Sequence, residues 1–416
     1  MPVPWSNDII IRILIYKKGQ EDIRQMITKI NELITALVNG DNATASDLGL
    51  YFLGMFVMFL IGGVLIYLAI KKDYEPALLL PIGFGAILCN IPLTTIVTGA
   101  DGEPGIFGFL YENTIANELF PVLIFIAVGA MIDFSPLFQT PSMLFFGAAA
   151  QFGIFATMMA ALLLGFDLKE AGAIGVIGAA DGPTTIYVAN AFKLDKLIGP
   201  LSVAAYSYMS LVPIIQPPVI KLLTTKEERK IRMNFKQKKI SKLTKILFPI
   251  IVTVVAGMVA PESVALVGAL MFGNLIRECG VLDRLSETAQ NTLANLVTLL
   301  LGITIGTTMT AEAFLNWKTL LIMLMGLVAF VFDTAGGVLF AKFLNLFRKE
   351  KINPMVGAAG ISAFPMSARV IQKMAKDEDP MNFVLMQSVA ANVSGQLGSV
   401  VAGSMILVLI GKMAGL

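Results

Sequence analysis

The chain has 416 residues, 56% of them hydrophobic and only 14% charged, with a mean hydropathy of +0.77; soluble domains carry about 25% charged residues. A net charge of +2 without basic–aromatic patterning argues against nucleic acid as a partner, and the absence of any histidine removes the usual zinc, haem and general-base ligand. Cys89 in an apolar run and Cys279 near a segment end argue against a disulfide framework or a metal cluster.

In chain order, residues 1–48 stand apart, with no charged start followed by an apolar core and cleavage site that would mark a secretory signal. Ile23, Met26, Ile27, Ile30, Leu33, Ile34 and Leu37 recur at helical steps, with Arg24, Lys29 and Glu32 elsewhere, which predicts an amphipathic helix. Such a helix lies at the membrane interface, meets a partner subunit or packs on this chain's own bundle. Candidate spans follow near 50–70, 77–94, 119–133, 143–166, 198–223, 246–261, 264–277, 292–310, 319–346 and 383–411. Two further apolar stretches, 171–192 and 353–372, are interrupted by glycine and proline. The expected fold class is an all-α polytopic membrane protein with about ten spanning helices and two broken hairpins.

Charge orients these elements. The loop 224–245 carries nine Lys/Arg (Lys226, Arg229, Lys230, Arg232, Lys236, Lys238, Lys239, Lys242, Lys245) against Glu227 and Glu228, which marks it as cytoplasmic. Lys71-Lys72 and Arg348-Lys349-Glu350-Lys351 carry the same mark, whereas the loop 95–118 holds Asp101, Glu103, Glu112 and Glu118 without Lys or Arg. Counting spans between these loops makes 171–192 a re-entrant hairpin from outside and 353–372 one from inside, an inverted repeat of 49–223 and 246–416 about the basic loop 224–245. The run Ile177–Pro183 loosely echoes Val356–Ser362. Helices broken at corresponding places in two halves point to a midplane binding site.

Asp181 is the most informative residue. It is followed by the helix-breaking Gly182-Pro183, and no other charge falls between Glu170 and Lys193. A charge at membrane depth costs about 2.5–3.5 kcal/mol on insertion scales and marks an ion or proton path; the alternative is a carboxylate that pairs with another buried polar group. The second broken stretch offers Asn353, Gly357, Ser362 and Arg369, and the last span carries Asn392-Val393-Ser394-Gly395-Gln396-Leu397-Gly398-Ser399. An oxygen-only set of this kind suits a hard cation, although each Ser or Thr could equally bond its own helix. Asp333, inside the span 319–346, is either a second ligand or proton relay or a packed structural acid.

The runs Gly178–Thr184, Ala204–Met209, Val212-Pro213-Ile214-Ile215-Gln216-Pro217-Pro218, Asn353–Arg369 and Asn392–Gly395 resemble the beta subunit of sodium-translocating, biotin-dependent decarboxylases. That family covers oxaloacetate, methylmalonyl-CoA, glutaconyl-CoA and malonate decarboxylase complexes, and the similarity runs from about residue 50 to the C-terminus. The resemblance implies that the chain decarboxylates carboxybiotin held on a biotin carrier subunit, consumes a proton and exports Na+, with no biotin of its own. It implies as partners the biotin carrier, a carboxyltransferase alpha subunit, a small membrane gamma/delta subunit and further copies of the chain, in the bacterial cytoplasmic membrane. The family's essential aspartate maps to Asp181, its second-hairpin residues to Asn353, Gly357, Ser362 and Arg369, its tyrosine to Tyr208 and its late asparagine to Asn392. Asp181, Asn353, Gly357, Ser362 and Asn392 are then the expected Na+ ligands. Tyr208 or Asp181 could donate the proton, and Arg369 either holds a carboxylate through its planar fork or anchors the hairpin. Competing readings are a Na+-coupled solute symporter and a membrane anchor without transport.

Overall fold

The computed structural model describes residues 45–99, 103–235 and 239–414. The amphipathic face expected between Ile23 and Leu37 lies outside the described residues. Within them the regular structure is helical, apart from one isolated antiparallel bridge between Thr98 and Pro104.

The first helices are α1 (Ala45–Lys72), α2 (Pro76–Cys89) and α3 (Leu119–Met131). A span interrupted at Gln151 follows as α4 (Leu144–Ala150) and α5 (Phe152–Leu163). The first broken hairpin comprises α6 (Leu168–Val176) and α7 (Gly182–Ala191). α8 (Asp195–Ser210) and α9 (Val212–Leu223) lead into the basic loop. Beyond it come α10 (Lys242–Val259), α11 (Val264–Cys279), α12 (Ala294–Gly306) and the 31-residue α13 (Trp317–Phe347). The second hairpin is the single turn Pro354–Gly357 and α14 (Met366–Glu378), and α15 (Leu385–Ala414) closes the chain.

Among the described residues, five helices are long and apolar enough to cross a membrane: Gly49–Lys72, Pro141–Leu163, Asp283–Gly306, Trp317–Phe347 and Leu385–Met413. The number rises to 7 if each of two bent pairs, Ile106–Ile115 with Leu119–Met131 and Leu197–Met209 with Val212–Leu223, is one span. The other expected spans, 77–94, 246–261 and 264–277, are helices of 14, 18 and 16 residues, shorter than those five. The protein is therefore a multi-pass, all-helical membrane protein. Leu247, Ile250, Ile251, Val254, Val255 and Met258 of α10 stay exposed, as a lipid-facing helix requires.

The helices sort into two packed groups. α1 packs on α2, α2 on α12, α3 on α11 and α10 on α11; on the other side α13 packs on α4, α5, α8 and α9, and α15 on α4 and α14. Where these groups face each other, a cavity opens between α2, α3 and α12 on one side and both hairpin tips on the other.

Each hairpin is held at its outer ends by different loops. Asp167 and Glu170 close a capping box at the start of α6, and Glu170 pairs with Lys318. At the end of α7, Asn190 donates to the Ile115 carbonyl (2.8 Å) and Tyr187 to the Glu262 carbonyl (2.9 Å). The second hairpin is tied to the basic loop instead. Asn353 donates to the carbonyls of Arg229 (2.8 Å) and Ile231 (3.0 Å), and Arg229 pairs with Glu378 at 2.7 Å. Arg232 pairs with Asp379 at 2.7 Å, and that hydrogen bond draws the Asp379 carboxyl below its ordinary range.

Candidate functional site

Asp181 stands where the first hairpin turns. The 3-10 turn Ile177–Ala179 ends on Ala180, whose φ of 53° is left-handed, a conformation that costs a non-glycine residue roughly 1–3 kcal/mol. That turn lets Asp181 begin α7 as its N-cap, with Oδ1 accepting from the Thr184 amide at 3.2 Å. Pro183 follows in the first turn, where its missing N–H is harmless. The other oxygen, Oδ2, accepts from Ser399 Oγ (2.7 Å) and Gln396 Nε2 (3.3 Å). The carboxylate is 3% exposed.

α15 reaches the turn with one face. Asn392, Gln396, Ser399 and Gly403 lie at steps of four, three and four residues, so they share a stripe along the helix. Gln396 and Ser399 meet Asp181, Gly403 packs against the Thr184 side chain, and Asn392 donates to the Ile361 carbonyl at 2.6 Å. Ser362 of the second hairpin donates through Oγ to the Gly395 carbonyl (3.0 Å) and through its amide to the Ala179 carbonyl (3.0 Å). That last bond joins the two hairpin tips directly. Two side-chain oxygens beside this junction, Thr184 Oγ1 and Asn392 Oδ1, are buried without a hydrogen-bond partner. Unsatisfied buried oxygens next to a carboxylate are what an oxygen-ligated cation needs.

The cavity has a volume of about 230 Å³. Asp181, Ser362 and Gln396 line it together with Tyr206, Asn295 and Thr298, and Glu75 lines it from the turn before α2. Tyr206 rests face-on against Gly182; a Cβ there would come within 2.3 Å of the ring, so glycine is required.

The expected site residues thus fall in four places. Asp181 and Ser362 lie together at the junction, with Asn392 one turn away on α15. Asn353 and Gly357 stand further along the second hairpin. Asn353 caps the turn Pro354–Gly357 and binds the basic loop, while Gly357 lies against Gly337 of α13 so closely that a Cβ would meet the Gly337 carbonyl oxygen at 2.0 Å. Tyr208 donates to the Met323 carbonyl and is not among the residues lining the cavity. Arg369 is exposed on the first turn of α14, beside a groove shared with Gln372, Lys373, Lys376 and Asp377, and its charge acts on Glu75.

The sequence sets Gln396 and Ser399 apart only as members of the polar run Asn392–Ser399, and it gives no role to Thr184, Tyr206 or Glu75. The stripe spacing from Asn392 would have found the first two. Gln216, from the Gln-Pro-Pro run, donates to the Ala358 carbonyl (2.9 Å) and accepts from Ser367 (2.9 Å), tying α9 to the second hairpin. Asp333 is fully buried midway along α13, facing the backbone amides of Gly153 and Ile154 and packed behind Gly178 rather than on the cavity.

Two broken helices meeting at one buried carboxylate define a membrane protein with an internal cavity lined by oxygen-bearing side chains. Comparison with known proteins narrows the class. The sequence profile of the Na+-transporting oxaloacetate decarboxylase beta subunit matches residues 54–410, and the chain belongs to that family. It is 50% identical over 358 residues to the glutaconyl-CoA decarboxylase subunit beta of Acidaminococcus fermentans, covering 86% of this chain and 94% of that protein. Identity is 48% over 381 residues with the methylmalonyl-CoA decarboxylase subunit beta of Propionigenium modestum (86% and 95% covered). With the oxaloacetate decarboxylase beta chain 2 of Salmonella typhi it is 42% over 425 residues (88% and 98%).

Proposed function

We propose that this chain decarboxylates carboxybiotin presented by a biotin carrier subunit and uses that reaction to move Na+ out across the bacterial cytoplasmic membrane. The observation that carries the reading is the junction at Asp181. A carboxylate, freed backbone and the side chains of α15 converge there, and two further buried oxygens lack partners. Na+ is the cargo; Asp181 supplies the charge, with Ser362 and Asn392 beside it. Asn353 and Gly357 hold the second hairpin in place for that site.

Decarboxylation of a carboxylated ureido nitrogen needs little covalent help. The protein must exclude water, hold the carboxylate and supply a proton. Arg369, always charged and exposed on α14, is suited to the carboxylate. Tyr208 fixes α8 against α13 through Met323 and so supports the wall that carries Tyr206.

The inverted repeat of ten spans belongs to the same proposal. The first hairpin is anchored by Ile115, Glu262 and Lys318, the second by Arg229 and Ile231, which fits entry from opposite faces. A carboxyltransferase alpha subunit, a small gamma/delta membrane subunit and further copies of this chain complete the proposed assembly.

Transport decides the matter. Vesicles holding the complex are expected to move 22Na+ when free carboxybiotin is supplied. Movement that requires a co-transported solute and ignores carboxybiotin would establish a symporter instead. Decarboxylation without any Na+ movement would leave the chain an anchor.

A further inference from the structure

Loss of CO2 from a ureido nitrogen leaves an electron pair that must take up a proton, so an acid has to stand beside the departing carboxylate. Of the two donors expected from sequence, Asp181 lines the cavity already engaged by Ser399, Gln396 and Thr184, and Tyr208 is turned to the Met323 carbonyl. A third acid lines the same cavity. Glu75 occupies the turn between α1 and α2 with φ 37° and ψ 61°, a left-handed conformation costing a glutamate roughly 1–3 kcal/mol.

It stands at the N-cap position of α2, yet its side chain caps no amide. The half-buried carboxyl makes no ion pair or hydrogen bond among the described residues. The charges acting on it are Arg369 from α14 and Asp73 from its own turn, and Asp181 and Tyr206 are the other ionisable groups lining the cavity.

We propose that Glu75 is the proton donor for decarboxylation, an inference that rests on the function proposed above. Arg369 holds the substrate carboxylate. The C–N bond to the ureido nitrogen breaks, its electron pair stays on nitrogen, CO2 leaves, and the Glu75 carboxyl proton passes to that nitrogen. As the substrate loses its negative charge, Arg369 faces the new Glu75 carboxylate in its place, and Glu75 regains a proton from water. Burial pushes the Glu75 carboxyl up, Arg369 pulls it back and Asp73 pushes it up again, with a net rise that favours the acid form.

The test measures CO2 release from free carboxybiotin by the purified complex in vesicles, across pH and Na+ concentration. Glu75→Gln is expected to lower the maximal rate roughly a hundredfold, the scale of a lost general acid, while the half-saturating Na+ stays in place; Glu75→Asp restores part of the rate. Asp73 is exposed, and Asp73→Asn removes a negative charge that keeps Glu75 protonated. It should therefore keep the plateau rate but move the alkaline limb of the pH–rate profile to lower pH. A Glu75→Gln variant with wild-type rate and profile overturns the proposal, as does an unmoved limb in Asp73→Asn, which decides the matter even if Glu75→Gln fails to assemble. A wild-type complex that releases no CO2 from carboxybiotin overturns the parent reading and this one with it. An active wild type with an inert Glu75 substitution overturns only the donor.

Discussion

Asp181 has one task in the fold and a second in the proposed function, and the two can be separated. As an N-cap its oxygen accepts from the Thr184 amide, a role asparagine fills about equally well; as a buried anion it attracts a cation, which asparagine cannot do. Asp181→Asn is therefore expected to insert and assemble normally yet lose Na+-stimulated decarboxylation, checked by activity with and without Na+ in the same preparation. Retained Na+ stimulation would remove Asp181 from the cation site. Ser399 acts through Asp181, donating to its Oδ2 at 2.7 Å. Hydrogen bonds to charged groups contribute about 1.5–3 kcal/mol, so Ser399→Ala should change the half-saturating Na+ roughly tenfold or more, with a smaller effect on maximal rate. An unmoved Na+ curve would detach Ser399 from the site.

At its base the second hairpin is held by close backbone contact as well as by side chains. Gly357 and Gly337 touch so nearly that a methyl on either would meet the other's carbonyl oxygen, at 2.1 Å from Gly337 and 2.0 Å from Gly357. Since the obstacle is backbone, the hairpin must shift as a unit. Gly357→Ala is expected to destabilise by about 1–3 kcal/mol, read as a lower thermal midpoint of the purified protein, and to displace Ser362 from Ala179 and Gly395. A variant with an unchanged midpoint and unchanged Na+ activation would show that the second hairpin tolerates movement at its base. The same closeness explains why Gly357 was legible from sequence as important while its part in the site was not. A glycine motif carries no information about which backbone lies opposite.

At the scale of the molecule, two helix groups enclose the cavity, and Asp181 belongs to the hairpin side. In the proposed function, a bound cation that neutralises this carboxylate would lower the electrostatic penalty of carrying it across the apolar interior, which would couple Na+ to a change of access. Orientation is tested by labelling in a chain whose Cys89 and Cys279 are replaced by alanine. Cysteines introduced at the exposed positions Asn234 and Glu112 are expected to react from the cytoplasmic and the outer side respectively. Reaction of both from one side would overturn the proposed opposite entry of the hairpins.

The membrane class, five of the ten spans (up to 7 with the bent pairs), the two breaks and the buried charge at Asp181 were legible in the sequence because each rests on a local property. Those properties are apolar length, proline and glycine at membrane depth, and one charge where charge is costly. Local reasoning also set Asn392–Ser399 apart as polar within an apolar helix. Which of those residues faces Asp181, however, depends on how α15 is rotated against α7, and that is fixed by packing. The choice between Tyr206 and Tyr208 is of the same kind. Two residues apart on a helix they point in widely different directions, one onto Gly182 in the cavity and the other to the Met323 carbonyl. Glu75 was invisible for the opposite reason. It lies in a short polar turn beside Lys71 and Lys72, where a carboxylate is unremarked, and only the fold sets it between Arg369 and the cavity that Asp181 lines. The sequence by itself determined what kinds of group lie at membrane depth; the tertiary structure decided which of them meet, because meeting depends on helix rotation and on segments that lie more than a hundred residues apart in the chain.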